Sequence, residues 1–215
     1  MSKTAVVLGS TGLIGSCLVE ELARAQEFSK IVALSRRPLY LGLDKTINEV
    51  IDFERLPDFQ TAFAADVLFS CLGTTVAAAG SIRAQRVVDV DYQLEVARLA
   101  FKQGVRHYIL VSSSGANSTS LSPYLRMKGE LEDEVKRIGF EFVSIIQPSL
   151  LLGNRPESRL GEKLAAKILP TLCKLPGLTR YRPIHGREVA QRMVTVAANP
   201  KQSFEVLALE DVFVH

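Results

Sequence analysis

The stretch "TAVVLGSTGLIGSCLVEELARAQ" (residues 4–26) leaves a polypeptide little conformational choice. Thr4 to Leu8 is a short Val-rich apolar run, the pattern of a strand buried on both faces. Glycines follow at positions 9, 12 and 15. Ile14, Leu18, Leu22 and Ala25 then recur near one face of a helix. A strand that passes into a helix this way needs a tight turn at the first glycine. It needs close backbone approach at the second and intimate strand–helix packing at the third. The helix start offers free N–H groups and a partial positive charge, which suit a pyrophosphate. Gly9, Gly12 and Gly15 are therefore the candidate dinucleotide loop, with spacing GxxGxxG rather than GxGxxG. The plainer alternative, one turn glycine and two packing glycines, does not by itself explain the placement between strand and helix.

Further apolar runs follow: "KIVALS", "INEVIDF", "ADVLFSCLG", "RHYILVSSS", "EFVSIIQP" and "FEVLAL". Helical patterns lie between them: Arg86 to Gln103, stopped by Gly104; "YLRMKGELEDEVKRIG", stopped by Gly139; and a closing helix in "GREVAQRMVTVAAN". Strands that alternate with helices and are apolar throughout predict an α/β fold with a parallel sheet. At 215 residues a single domain is expected, with residues 149–183 as a small substrate or lid insertion carrying the helix "GEKLAAKILPTLCKL". The net charge is only +3 and the basic residues are dispersed, so no nucleic-acid footprint is present. The apolar runs are too short for a membrane span. No signal-peptide pattern opens the chain, and its three cysteines show no metal-ligand spacing. A cytoplasmic location and no metal are the expectations.

The second strand ends in "SRRP". Where an NAD-specific site would carry a carboxylate, Arg36 and Arg37 stand instead, and guanidinium suits a ribose 2′-phosphate. NADPH is thus preferred to NADH, with NAD possible. Asp52, followed by Phe53, is placed either to accept from an adenine amino group or to cap a helix.

"VSSSG" ends the fifth strand, at the sheet edge where such folds bind ligands. Tyr124 and Lys128 follow at i and i+4 of a helix, on one face. A free phenol titrates near 10 and is a poor base at neutral pH. An ammonium about 4 Å from a phenolate is worth roughly 4 kcal/mol at an effective dielectric of 20. A Ser hydroxyl, a Tyr phenol and a Lys ammonium together can bind a carbonyl oxygen and give it a proton. His185 in "RPIHGREVA" could touch a substrate but is more simply read as positioning the last helix, while the charged "ESRLGE" reads equally as a loop that binds substrate or cofactor phosphate and as a salt-bridged loop of little energetic worth.

Taken in order, "GSTGLIG", "DFE", "CLGTT", "VSSSGA" and "YxxxK" resemble the short-chain dehydrogenase/reductases, in their atypical, extended-like branch. Motifs such as "CLGTT", "YL..KGE" and "R.ESR.GE" are similar to the Tat-interacting oxidoreductase-like proteins, from about Gly9 to about Glu162. The resemblance implies a doubly wound Rossmann fold, Tyr124 as acid/base and Lys128 as its cofactor-binding partner. It implies a phosphate-loop role for Ser10, Thr11, Gly12, Leu13 and Ile14, and puts Arg36 and Arg37 at the adenosine ribose. Leu72 and Gly73 would line the nicotinamide side, with Leu151 and Arg159 near the cofactor. Family spacing points to Ser112 or Ser113 as the catalytic serine, Ser113 preferred, while alignment on the strand end also allows Ser114. Asp89 stands where many members carry Asn, and Gln147 precedes Pro148 where relatives often show Arg. These readings lead to an NAD(P)H-dependent reductase of a small carbonyl compound. The alternatives are an NADPH-binding regulatory module with a protein partner, and a sugar-nucleotide epimerase or dehydratase, for which the short C-terminal part leaves little room.

Overall fold

Successive residues of a strand face opposite sides of its sheet, and this chain buries both sides. A computed structural model describes residues 2–40, 42–152 and 182–213. Its strands are β1 (Lys3–Leu8), β2 (Phe28–Ser35), β3 (Thr46–Val50), β4 (Val67–Ser70), β5 (His107–Val111), β6 (Phe142–Gln147), β7 (Leu151–Leu152), β8 (Ile184–His185) and β9 (Phe204–Ala208). Seven of them pair in parallel in the order β3-β2-β1-β4-β5-β6-β9, and β7 pairs in parallel with β8. The doubly wound parallel sheet expected from the sequence is the observed fold.

Alternation divides the core. Val6, Leu8, Leu68, Tyr108 and Leu110 pack on one side with α4 (Tyr92–Lys102) and α5 (Pro123–Ile138). Ala5, Val7, Phe69, Ile109 and Val111 pack on the other with α1 (Leu13–Arg24) and α6 (Gly186–Ala198). Burial of each large aliphatic side chain contributes about 1.5–3 kcal/mol. β3 and β9, at the sheet edges, keep exposed positions such as Ile47 and Val206.

Two elements differ from the sequence pattern. A 3-10 segment, Phe53–Phe63, occupies the connection from β3 to β4, with Pro57 inside it and non-helical backbone at Arg55 and Phe59. The helix expected from Arg86 starts earlier. After α2 (Val76–Ala79), α3 (Ile82–Arg86) runs into a π-helical turn, Val87–Asp91, and then into α4. The helix expected within the insertion lies outside the described residues.

Two local contacts constrain this packing. Gly129 of α5 lies against the loop before the helix: a β-carbon there would stand 2.2 Å from Ser118 N and 2.3 Å from Asn117 C. At the opposite end of the sheet His107 is only 3% exposed. Ser144 gives its one proton to Glu205, at 2.8 Å, so it accepts from His107 Nε2–H at 2.9 Å. Burial, then the Lys3 charge, pushes the His107 pKa from 6.5 down to about 4.

Gly129→Ala is expected to cost about 1–3 kcal/mol through backbone overlap, read as a lower urea midpoint. His107 stays neutral in the fold while the unfolded imidazole protonates first on acidification. Stability is therefore full above the unfolded value of 6.5 and falls as pH drops toward 4. The loss amounts to about 3 kcal/mol. Urea unfolding across this range should show that slope, and His107→Gln should remove it.

Candidate active site

The strand order reverses between β1 and β4, and the crevice beyond their carboxyl ends is where ligands bind in such sheets. Gly9 closes β1 at φ +79°, a conformation open to glycine. A β-carbon on it would lie 2.7 Å from Cys71 C and Leu72 N, the chain leaving β4. On Gly15 it would lie 2.2 Å from Gly9 O, and on Gly12 3.3 Å from the same oxygen. These absent side chains leave a bare cradle over which α1 begins. Gly12 is its N-cap and has no side chain to satisfy the first N–H groups. Ser10 turns away from the crevice: it is buried and donates to Leu34 O at 2.7 Å.

Two adjoining cavities, of about 650 Å³ and about 440 Å³, share Thr11, Gly12, Cys71, Leu72, Gly73 and Thr74 as a common floor, and so form one groove. The larger runs from Gly9 past Arg36 to Phe53, Glu54 and Tyr92. The Phe53 and Tyr92 rings stand 5.1 Å apart, and the Tyr92 phenol donates to Glu54. That hydrogen bond, with burial and the negative charge of Glu54, pushes the phenol up to about 12, so it keeps its proton. Arg37 does not line the groove; its carbonyl accepts from Ser35 Oγ at 2.6 Å. Asp52 caps the 3-10 segment by accepting from Glu54 N at 3.0 Å. It also borders a smaller cavity with Arg36 and Phe53.

The second cavity is lined by Leu13, Ile14, Asp89, Ser112, Tyr124, Lys128 and Leu151, among others. The groove thus brings Ser112, Tyr124 and Lys128 to one wall. Lys128 is 4% exposed, and its ammonium donates to Val111 O at 3.4 Å. Burial pushes the Cys71 thiol up to about 12 against the pull of Lys128, so the groove floor carries a neutral thiol. Ser113 is half-buried and does not line the groove, and Ser114 does not either. Arg159 lies outside the described residues.

Several contributors carry no motif in the sequence. Asp89, buried in the π-helical turn, accepts from Thr74 N at 2.7 Å and Gln85 Nε2 at 3.1 Å, and so holds the loop that floors both cavities. Gln93 joins the same network, donating to Asp89 O at 2.8 Å and accepting from Ser70 at 2.7 Å. π-turns inside α-helices are often found at functional sites, yet nothing in "VVDVDY" announces one. Behind the wall, Ser112 donates to Glu132, which also accepts from Gln147 Nε2 at 2.9 and 3.1 Å. Burial holds the Glu132 carboxyl above the usual carboxylate range, opposed by those two hydrogen bonds and by Lys128. The spacing Tyr124, Lys128, Glu132 was the available signal, hidden in a run of surface charges.

Residues 9–200 match the family model described as NAD(P)H-binding. The rat protein HTATIP2 is 41% identical over 175 residues, covering 80% of this chain and 72% of that protein. FMP52 of Candida glabrata is 38% identical over 202 residues, covering 88% and 83%, and FMP52 of Kluyveromyces lactis is 35% identical over 213, covering 94% and 92%. Both fungal proteins are mitochondrial by name, and the cytoplasmic location expected for this chain has no support from them. Among solved structures, the UDP-N-acetylglucosamine 4-epimerase of Methanobrevibacter ruminantium superposes with TM-score 0.72 at 17% identity, covering 97% of this chain and 77% of the epimerase. A short-chain dehydrogenase/reductase superfamily protein of Agrobacterium tumefaciens with bound NAD gives 0.70 at 16%, covering 96% and 77%. The glycine cradle, the groove beyond it and these matches agree: the chain belongs to the NAD(P)H-binding family and is a relative of HTATIP2 and FMP52.

Proposed function

We propose that the chain reduces a small carbonyl compound with NADPH. The observation that carries this reading is that Ser112, Tyr124 and Lys128 line the cavity continuous with the glycine cradle. The residues fit a dinucleotide: a β-carbon at Gly9 or Gly15 would overlap backbone, and the uncapped start of α1 suits phosphate. Gly12, Leu13 and Ile14 would hold the pyrophosphate, and Lys128 the nicotinamide ribose. Arg36 would face the adenosine ribose, with Phe53 beside the adenine. The nicotinamide, when bound, supplies hydride to a carbonyl carbon. Tyr124 would then give its phenolic proton to the carbonyl oxygen, and Ser112 would bind that oxygen. Gly73 and Thr74, the latter held by Asp89, form the floor beneath them.

One observation favours a second reading. The Ser112 proton goes to Glu132 in this structure, away from the groove. A chain held in that state would bind the nucleotide with little turnover, as a regulatory module for a protein partner would.

Tyr124→Phe is expected to lower the rate of NADPH oxidation with a panel of small aldehydes and ketones by about 10²–10⁴-fold, with NADPH affinity nearly kept. Full turnover in that variant would sink the reductase reading. Calorimetric titration should show tighter binding of NADPH than NADH. Arg36→Ala should weaken NADPH about tenfold or more and leave NADH little changed. Tighter NADH binding by the wild type would remove the role given to Arg36.

A further inference from the structure

Tyr124, Lys128 and Glu132 stand four residues apart on α5, so one helix face carries all three. Tyr124 and Lys128 line the groove with Ser112, and Glu132 stands behind that serine. Gln147, the last residue of β6, presents its amide to both carboxylate oxygens. A serine hydroxyl has a single proton and two lone pairs. When Ser112 donates to an ionised Glu132, only lone pairs remain for the groove. A carbonyl oxygen needs a donor and finds none at Ser112, whereas an alcohol hydroxyl finds an acceptor there.

We propose that Glu132 is a positioning residue that decides which partner Ser112 can serve. Ionised, Glu132 takes the hydroxyl proton and holds Ser112 as an acceptor. Protonated, it donates to Ser112 Oγ and frees the serine proton for a carbonyl oxygen. The inference rests on the reading of Ser112, Tyr124 and Lys128 as the substrate end of the groove. One proton passes between solvent and Glu132, no bond to substrate forms, and Tyr124 remains the proton donor of the reaction. The groups facing Glu132 among the described residues are few. Lys128 and the hydrogen bonds from Ser112 and Gln147 favour the ionised form, whereas burial and Asp133 favour the protonated one. Burial is the largest of these effects, which brings the switch closer to working pH than it would be for an exposed glutamate.

Two measurements test this. In carbon-13 glutamate-labelled protein saturated with NADPH, the carboxyl signal missing from Glu132→Gln identifies Glu132. Its titration midpoint is expected to rise in Ser112→Ala and in Gln147→Leu, because each removes a donor to the carboxylate. A midpoint unmoved in Ser112→Ala overturns the coupling. In the second measurement, kcat/KM for NADPH-dependent reduction of para-nitrobenzaldehyde is followed against pH. The wild type should lose rate as pH rises through the midpoint seen by NMR. Glu132→Gln keeps an acceptor for Ser112 but has no proton to gain or lose, and its profile should be flat over that range. Ser112→Ala should also be flat, and about a hundredfold slower. A wild-type fall retained in Glu132→Gln overturns the proposal. The NMR midpoint needs no turnover. A wild type that binds NADPH but reduces no carbonyl therefore removes the reductase reading and still leaves the Ser112–Glu132 coupling decided.

Discussion

The crossing of β1, α1 and the end of β4 leaves no space for a side chain. A β-carbon at position 15 would meet Gly9 O at 2.2 Å, and one at position 9 would meet the Cys71 backbone at 2.7 Å. Overpacking of well-packed sites costs about 1–3 kcal/mol and sometimes more, a large share of a domain's roughly 5–15 kcal/mol of stability. This contact does more than close a turn. It aims the start of α1 into the crevice, and it presses the backbone at Cys71–Leu72 against Gly9, so that one stretch floors both cavities.

That floor is held from behind by buried polar groups, and each has a partner that offsets its desolvation. Asp89 accepts from Thr74 N and Gln85, Gln85 also donates to Thr74 O at 3.2 Å, and Gln93 links Asp89 O to Ser70. The π-helical turn is what brings Asp89 to the loop. An extra residue in the turn rotates the helix that follows, and the acidic side chain faces inward beneath Gly73, 3.7 Å from where a β-carbon there would stand. Asp89 is thus a loop-holding residue in this structure.

The strands and the main helices were legible because their signals are strong and local: continuous apolar runs, helical periodicity, and glycines at 104 and 139 that do take positive φ. The connection through Phe53–Phe63 was not, because Pro57 and a mixed apolar pattern fit neither helix nor strand. The serine cluster is instructive. Tyr108 and Leu110 face α4 and α5, while Ile109 and Val111 face α1 and α6. Continuing that alternation puts Ser112 on the α5 side, where Glu132 is, and Ser113 on the other. The parity of β5 therefore carried information that spacing within a motif did not. Glu132 and Gly129 were obscured for another reason. In "MKGELEDE" a half-buried acid and a contact glycine look like solvated helix, and only the path of the preceding loop distinguishes them.

The backbone arrangement is widely shared: chains only 16–17% identical superpose with TM-scores of 0.70 to 0.72 over nearly the whole of this one. A frame common to an epimerase and a dehydrogenase/reductase superfamily protein does not choose between chemistries; side chains on it do. The side chains proposed to do so here stand on or next to regular elements, Tyr124 and Lys128 on α5 and Ser112 directly after β5, which sets their relative placement. What is left to vary is where protons reside. Lys128 is buried against a carbonyl, Cys71 is kept neutral by burial, and Glu132 is raised by burial beside a serine with one proton to give. A groove built this way can have fixed geometry and still change what it offers a substrate, because moving one proton turns Ser112 from acceptor to donor without moving any heavy atom.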